Sequence, residues 1–320
     1  MKRPSTGGIV RVIVAVALTV LVFWKSHPAE VGRVLAGTRP GPIALAVLLV
    51  LADRALMAYR WLVLLRPFSG PGGPRFAAVM RIFFVSTFVG TFLPASVGGD
   101  AVRAYALARE GVDAPASVAS VLMDRALGVL SVLVMAAVGL VFASQMARDP
   151  LVVSALAATA LACGAAAAVI FSERADALLQ KAAGRLPWAA GRAIVLRLLA
   201  AIRVYATRHG DLVSVLLGSI GVQVLRIVQA YFLGVALGIA QPITIYLAFI
   251  PLILLVMLLP VTVNGLGTSQ LAFVWAFSQA GVPGALSFPL SILFVALGVV
   301  GNLPGGLLYA SGGMHARRRT

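Results

Sequence analysis

Apolar and polar residues do not alternate along this chain; the apolar ones come in long runs. These runs lie at 9–24, 42–65, 76–94, 114–143, 150–171, 211–238, 243–260 and 284–309. Stretches of that length with few charges predict membrane-crossing helices, not strands or surface helices. Two of the runs stop at short breaks of matching form, LPASVGG at 93–99 and LPVTVNG at 259–265. A short helical piece follows each break, at 101–110 and 268–280, and each piece ends at a Gly-Val pair, Gly111-Val112 or Gly281-Val282. A Gly/Pro-interrupted apolar segment in corresponding places of two halves points to the binding site of a transporter.

Composition agrees with the pattern. Hydrophobic residues make up 61% of the 320 and charged residues 11%, and the mean hydropathy is +1.01. The chain is therefore expected to be an integral membrane protein, all-α and polytopic. Residues 1–24 resemble a signal peptide but have no convincing small-residue cleavage site, so 9–24 is expected to remain as the first span. The net charge of +16 is carried mainly in loops and at the ends of the runs. That placement fits the positive-inside rule and contact with anionic headgroups better than it fits nucleic acid. Neither a P-loop signature nor an H-E-x-x-H occurs, and Cys163 is the sole cysteine. ATPase chemistry, a metal cluster and a bound cofactor are accordingly not expected.

The positive charges orient the runs. Lys2, Arg3 and Arg11, the Arg317–Arg319 tail, the 66–75 loop and the basic stretch 172–210 are all assigned to the cytoplasm of a plasma (inner) membrane protein. With both termini inside, 76–110 must start and finish inside, as a re-entrant hairpin with the first break at its tip. From Arg81 to Pro94 a helix rises about 20 Å, so the tip lies near the middle of the bilayer. Residues 243–282 must likewise enter and leave from outside. The reading is one membrane domain, 1–320, of about six full spans and two opposed hairpins. It forms an inverted-topology repeat with halves at 9–143 and 150–309. Arg60 and Arg226, each 34 residues before its break proline, support the alignment. Segment 172–210 is read as a cytoplasmic interfacial helix or helix pair. Its apolar stripe is Ile194, Val195, Leu198, Leu199 and Ile202.

Charges inside the runs are the candidate chemistry. The tetrads Asp53-Arg54-Ala55-Leu56 and Asp124-Arg125-Ala126-Leu127 both fall near mid-depth, with Arg226 a further cation from the second half. Each charge at the bilayer centre costs about 3 kcal/mol unless it is paired or lines a wet cavity. Neighbours on a helix point about 100° apart, so cross-helix pairs such as Asp53 with Arg125, or Asp124 with Arg54, are expected. These pairs could fix helix packing or handle a substrate.

The first tip runs Gly98, Gly99, Asp100, then Arg103. The glycines permit close backbone approach, Asp100 suits an N-cap, and Arg103 in the first turn suits a phosphate. The second tip offers Asn264, Gly265, Gly267, Thr268, Ser269 and Gln270, a second half-helix start with neutral donors. Asn302 is a further polar candidate.

These residues resemble the transmembrane-region family of lysylphosphatidylglycerol synthase, the flippase-like part of the multiple peptide resistance factor. The likeness rests on LPASVGGDAVRAYALAR at 93–109, on Asp124-Arg125 with Leu127-Gly128, and on LPVTVNGLG at 259–267. It implies a lipid translocase without catalytic activity, moving aminoacylated or anionic phospholipids or polyprenyl-phosphate-linked lipids. Gly98, Gly99, Asp100 and Arg103 match the family's glycine-glycine-acid-x-x-arginine signature, and Pro260, Gly265 and Gly267 match its second loop. Where that loop commonly continues into an Arg-Glu pair, this chain has Ser269-Gln270. Expected partners are membrane lipids with anionic headgroups, with a lipid-modifying enzyme a further candidate and nucleic acid excluded. Competing readings are an exporter of a small anionic solute, a membrane enzyme acting on a lipid-linked sugar, and a non-transporting partner of a lipid-modifying enzyme.

Overall fold

The computed structural model describes residue 20 and residues 28–68, 75–92, 97–143, 148–185, 187–258 and 267–310. Among them every regular element is helical. The apolar run 9–24, apart from Val20, and most of both breaks, including Asn264 and Gly265, lie outside the described residues. The helices are α1 (Pro28–Ala36), α2 (Pro40–Leu65), α3 (Phe76–Phe92), α4 (Val97–Arg109), α5 (Ala114–Phe142) and α6 (Pro150–Phe171). They continue with α7 (Glu173–Gly184), α8 (Ala189–Arg203), α9 (His209–Ala236), α10 (Ile243–Leu258), α11 (Thr268–Ser278) and α12 (Gly284–Ala310). Among the described residues five helices, α2, α5, α6, α9 and α12, are long and apolar enough to cross a membrane, and α3 and α10 are shorter apolar helices.

Helix ends follow local chemistry. Prolines open α2, α5 and α6 within their first two positions, where the missing N–H costs nothing and the fixed φ suits a helix. Asp149 caps α6, its carboxylate accepting from Leu151 and Val152 N–H. The two Gly-Val pairs are C-terminal stops: Gly111 and Gly281 take φ of 94° and 73°, a left-handed conformation that glycine adopts without a Cβ penalty. Val112 and Val282 then fold back into the core, and Val282 N–H donates to Phe277 O at 3.1 Å. Segment 172–210 forms the expected helix pair, α7 and α8. The α8 stripe splits, with Leu198 and Ile202 packed on the core around Tyr205 and Ile194 exposed.

The bundle is held by pairings that match between the two halves. Helix α2 packs along α9. Arg39 N–H donates to Ala236 O at 3.0 Å at one end and Arg66 donates to Asp211 at 3.2 Å at the other, so the two run antiparallel. Helix α3 packs on α12, and α10 packs on α5; the first arm after each half's long helix thus rests on the last long helix of the other half. Both contacts close on glycine. A Cβ at Gly305 would lie 1.9 Å from Phe84 O, and one at Gly139 would lie 2.6 Å from Leu247 O. Gly139 lies 45 residues after Pro94 and Gly305 45 after Pro260. Helix pairs α3–α4 and α10–α11 fold as hairpins. In the first, Gly90 and Gly99 bring the two backbones together, since a Cβ on Gly99 would meet Gly90 Cα at 3.1 Å and Ser86 O at 3.0 Å.

Two expectations change. Helix α1 falls in a stretch for which no element was expected; Pro28 opens it, and Val31 is buried against Phe288. Helix α4 starts at Val97 instead of after Asp100, so Asp100 sits in the first turn, not at the N-cap. Arg103, the seventh residue of α4, falls in the second turn and not the first.

Candidate functional site

The intramembrane charges assemble into two separate ion-pair chains. The longer joins α2, α4 and α5. Arg60 Nη2 donates to Asp124 Oδ1 at 3.0 Å, and Arg103 Nη2 donates to Asp124 Oδ2 at 3.1 Å. Arg103 also lies 3.6 Å from Asp100. Asp100 in turn accepts from Arg125, Nε to Oδ2 at 2.7 Å and Nη2 to Oδ1 at 3.0 Å. The order is Arg60, Asp124, Arg103, Asp100, Arg125. The shorter chain is Arg54, Asp53, Arg226: Arg54 Nη1 donates to Asp53 Oδ2 at 2.9 Å, and Arg226 Nε stands 4.0 Å from Asp53 Oδ1.

Burial makes these pairs consequential. Asp53 is 1% exposed and Asp124 6%. Arg103 is 4% exposed, its guanidinium 4.8 Å from the Trp61 ring centre and 5.7 Å from that of Phe83, close enough for cation–π attraction on both sides. Trp61 Nε1–H is held by Ser120 Oγ at 3.1 Å. Arg54 is further anchored across the bundle, donating from Nε to Asn302 Oδ1 at 3.0 Å and from Nη2 to Gly298 O at 3.3 Å. The Asn302 amide donates to Thr91 Oγ1 at 2.9 Å, which ties the shorter chain to α3 just before the first break.

The expected cross-helix pairs are not those formed. Asp53 takes its own neighbour Arg54 instead of Arg125, and Asp124 takes Arg60 and Arg103 instead of Arg54. The 100° argument underrated the reach of arginine, whose four-bond stem curls back around the helix while its other nitrogens span to α12. Arg103, read from the sequence as suited to a phosphate or to pairing with Asp100, stands between the carboxylates of Asp100 and Asp124 and beside two rings. Arg60 was read only as an alignment mark, though its mid-run position carried the same signal as Arg226. Ser120, Trp61 and Thr91 had no sequence signal, because their roles exist only across helices.

At the second tip Gly267 takes φ of 85°, and its N–H is accepted by Gln270 Oε1, which also accepts from Ser269 Oγ at 3.0 Å. Ser269 and Gln270 are fully buried. The Ser-Gln that stands in place of an Arg-Glu pair thus caps its own helix with a neutral side chain. Gln270 Nε2 finds no hydrogen-bond partner among the described residues. Thr268 opens α11 beside them and is partly exposed.

The fold and these chains define a class, a multi-pass helical membrane protein whose core is crossed by buried arginine–aspartate pairs. Within that class the chain belongs to the family described as lysylphosphatidylglycerol synthase TM region, whose family model matches residues 8–305. No curated protein and no solved structure matches it.

Proposed function

We propose that this protein moves a lipid between the leaflets of the plasma membrane, as an inverted repeat of about six spans and two opposed re-entrant hairpins, without catalytic chemistry of its own. The observation that carries this reading is the pair of arginine-ended ion chains inside an apolar bundle. Charges there cost about 3 kcal/mol each unless paired or solvated; the longer chain lies between the hairpin helix α4 and the long helices α2 and α5, and the shorter between α2 and α9. The lipid's tails stay in the bilayer while its phosphate exchanges between guanidiniums. The matched packing of α3 on α12 and α10 on α5 supports two halves of opposite orientation, and the antiparallel run of α2 and α9 agrees with it. Both termini and 172–210 are then cytoplasmic. With Cys163 replaced, a cysteine at Ala190 should react with an impermeant reagent from the inner side of sealed vesicles only; reaction from outside alone would overturn the orientation and the inverted repeat.

The function is tested by reconstituting the purified protein in liposomes with labelled anionic phospholipid, aminoacylated phospholipid and polyprenyl phosphate, and following loss of label from one leaflet. Arg226, the guanidinium with only a 4.0 Å carboxylate contact, should matter most to rate and least to folding. Arg226→Gln should slow transfer about tenfold, the effect of one charge-assisted hydrogen bond, at an unchanged unfolding midpoint. Wild-type protein that moves none of the three lipids faster than empty liposomes would leave the non-transporting partner as the better reading.

A further inference from the structure

Neither ion-pair chain is neutral. The longer holds Arg60, Arg103 and Arg125 against Asp100 and Asp124, and the shorter holds Arg54 and Arg226 against Asp53. Each therefore carries one positive charge in excess. The chain has ten acidic residues, and those outside the two chains stand elsewhere. Asp113 and Asp211 pair with Arg197 and Arg66, and Asp176 lies by Arg203. Asp149 caps α6, Glu110 and Glu173 are at helix ends, and Glu30 lies in α1. Both breaks contain no charged residue. Among the described side chains no further carboxylate joins either ion chain.

The end of the longer chain has a second property. Arg125 is half exposed, with 52% of its side chain accessible, although it lies in the middle of the apolar helix α5. Its Nε and one Nη2 hydrogen are taken by Asp100, which leaves the Nη1 hydrogens and the other Nη2 hydrogen to spare. It lines a groove of about 390 Å³ between α5, α6 and α9, whose other walls are apolar: Leu130, Cys163, Ala166, Ile170 and Leu216 among them. The α6 wall is small because the helix is alanine-rich there, and α6 itself buries little of its surface in the bundle. An apolar trough of ligand size ending at a half-exposed guanidinium with hydrogens to spare, on an ion chain that is one positive charge in excess, matches a molecule with a hydrocarbon tail and an anionic head.

We propose that this groove is a lipid-binding site. One hydrocarbon tail lies along α6 against Ala166 and Leu216, and the phosphate of a net-negative headgroup accepts hydrogen bonds from Arg125. This deepens the translocation reading above and rests on it for the direction in which the lipid then moves, but not for the binding itself. The same charge excess disfavours a lipid whose head carries a net positive charge, such as a lysyl-esterified phosphatidylglycerol, because a second uncompensated positive charge would be added beside the longer chain.

Cys163, the sole cysteine, lines the groove. Because a label on Cys163 would itself fill the trough, the fluorophore is placed beside the groove, on a cysteine at Leu217 with Cys163 replaced by alanine. The purified full chain in detergent micelles is titrated with lipids whose tails are brominated, the headgroup being phosphatidate in one series and lysyl-phosphatidylglycerol in the other. Quenching should saturate at about tenfold lower phosphatidate than lysyl lipid. Arg125→Gln should remove that preference, and Ala166→Phe should weaken both titrations by filling the trough. Native mass spectrometry of unlabelled protein should give the same order of bound lipid. Equal titration by both headgroups, or an unchanged preference in Arg125→Gln, would overturn the proposal. So would a disulfide between two copies through Cys163, or between Cys163 and a cysteine placed at Val16, since either would put protein where the tail is assigned. Quenching as expected without transfer in liposomes would retain the site and reject the translocation reading; transfer without headgroup-dependent quenching would do the reverse.

Discussion

Replacing Asp124 by asparagine will lower the stability of this protein by about 3–5 kcal/mol, the usual cost of leaving a buried charge without its partner. Asp124 is the carboxylate shared by Arg60 at 3.0 Å and Arg103 at 3.1 Å, and each of these guanidiniums is nearly inaccessible. Arg103 keeps Asp100 at 3.6 Å, but Arg60 keeps only the Asp124 backbone carbonyl at 3.4 Å, a weak acceptor for a full charge. Both arginines also have an Nε without a hydrogen-bond partner among the described residues, which offer the site no reserve of acceptors. The amide of asparagine preserves shape but removes the charge and turns one acceptor oxygen into an NH2 donor, so it can accept from only one of the two guanidiniums. The measurement is the unfolding midpoint of purified variants in a fixed detergent. Asp124→Asn combined with Arg60→Met, which removes the stranded cation, should recover part of the loss, because a buried pair replaced by apolar side chains of similar volume is tolerated far better than half a pair. A wild-type midpoint for Asp124→Asn would show that the longer ion chain does not hold the bundle together.

Gly305→Ala will be among the most damaging methyl additions at the described glycines. Its Cβ would lie 1.9 Å from Phe84 O and 2.5 Å from Phe84 C, distances that no rotamer change relieves because the obstacle is backbone. Helices α12 and α3 must separate, with a cost at or above the 1–3 kcal/mol typical of overpacking. Gly139→Ala, at 2.6 Å from Leu247 O and 2.9 Å from Ala248 Cα, should cost somewhat less at the corresponding contact of the other half. In a membrane, where no hydrophobic force draws helices together, such glycines matter because they allow the close van der Waals approach that does. Gly164 on α6 is the control: nothing lies within 4 Å of its added Cβ, and Gly164→Ala should be neutral or slightly stabilising by helix propensity. Unfolding midpoints ordered Gly305→Ala, Gly139→Ala, wild type from lowest to highest would bear this out. Equal midpoints for Gly305→Ala and Gly164→Ala would mean that α3 and α12 are not packed through this glycine.

Much of the architecture was legible from residue order. An apolar run of helix length has one low-energy conformation in a bilayer, because every backbone polar group must be satisfied within the segment. Hence the runs at 42–65, 114–143, 150–171, 211–238 and 284–309 reappear as α2, α5, α6, α9 and α12 with ends moved by a few residues. The Gly-Val stops were equally local, a left-handed glycine followed by a valine returning to the core. Helix α1 escaped notice because nine residues with a glycine inside carry too weak a period to stand out.

Which charges would meet was not legible. Asp53, Arg54, Asp124, Arg125 and Arg226 stand out in the sequence as charges inside apolar runs, which are costly there without partners. The choice of partner depends on the rotation and offset of one helix against the next, and those are set by contacts such as Gly218 on Arg60 or Gly305 on Phe84, dozens to hundreds of residues apart in the chain. Only the packed bundle therefore decided that Arg103 would be enclosed, that Arg60 would join it, and that Arg125 would be left half exposed at the head of an apolar groove. Sequence by itself determined a helical membrane protein with charges inside its apolar runs, because those features arise within single segments. The tertiary structure decided how the charges pair and where one positive charge remains over, because both are properties of neighbouring helices.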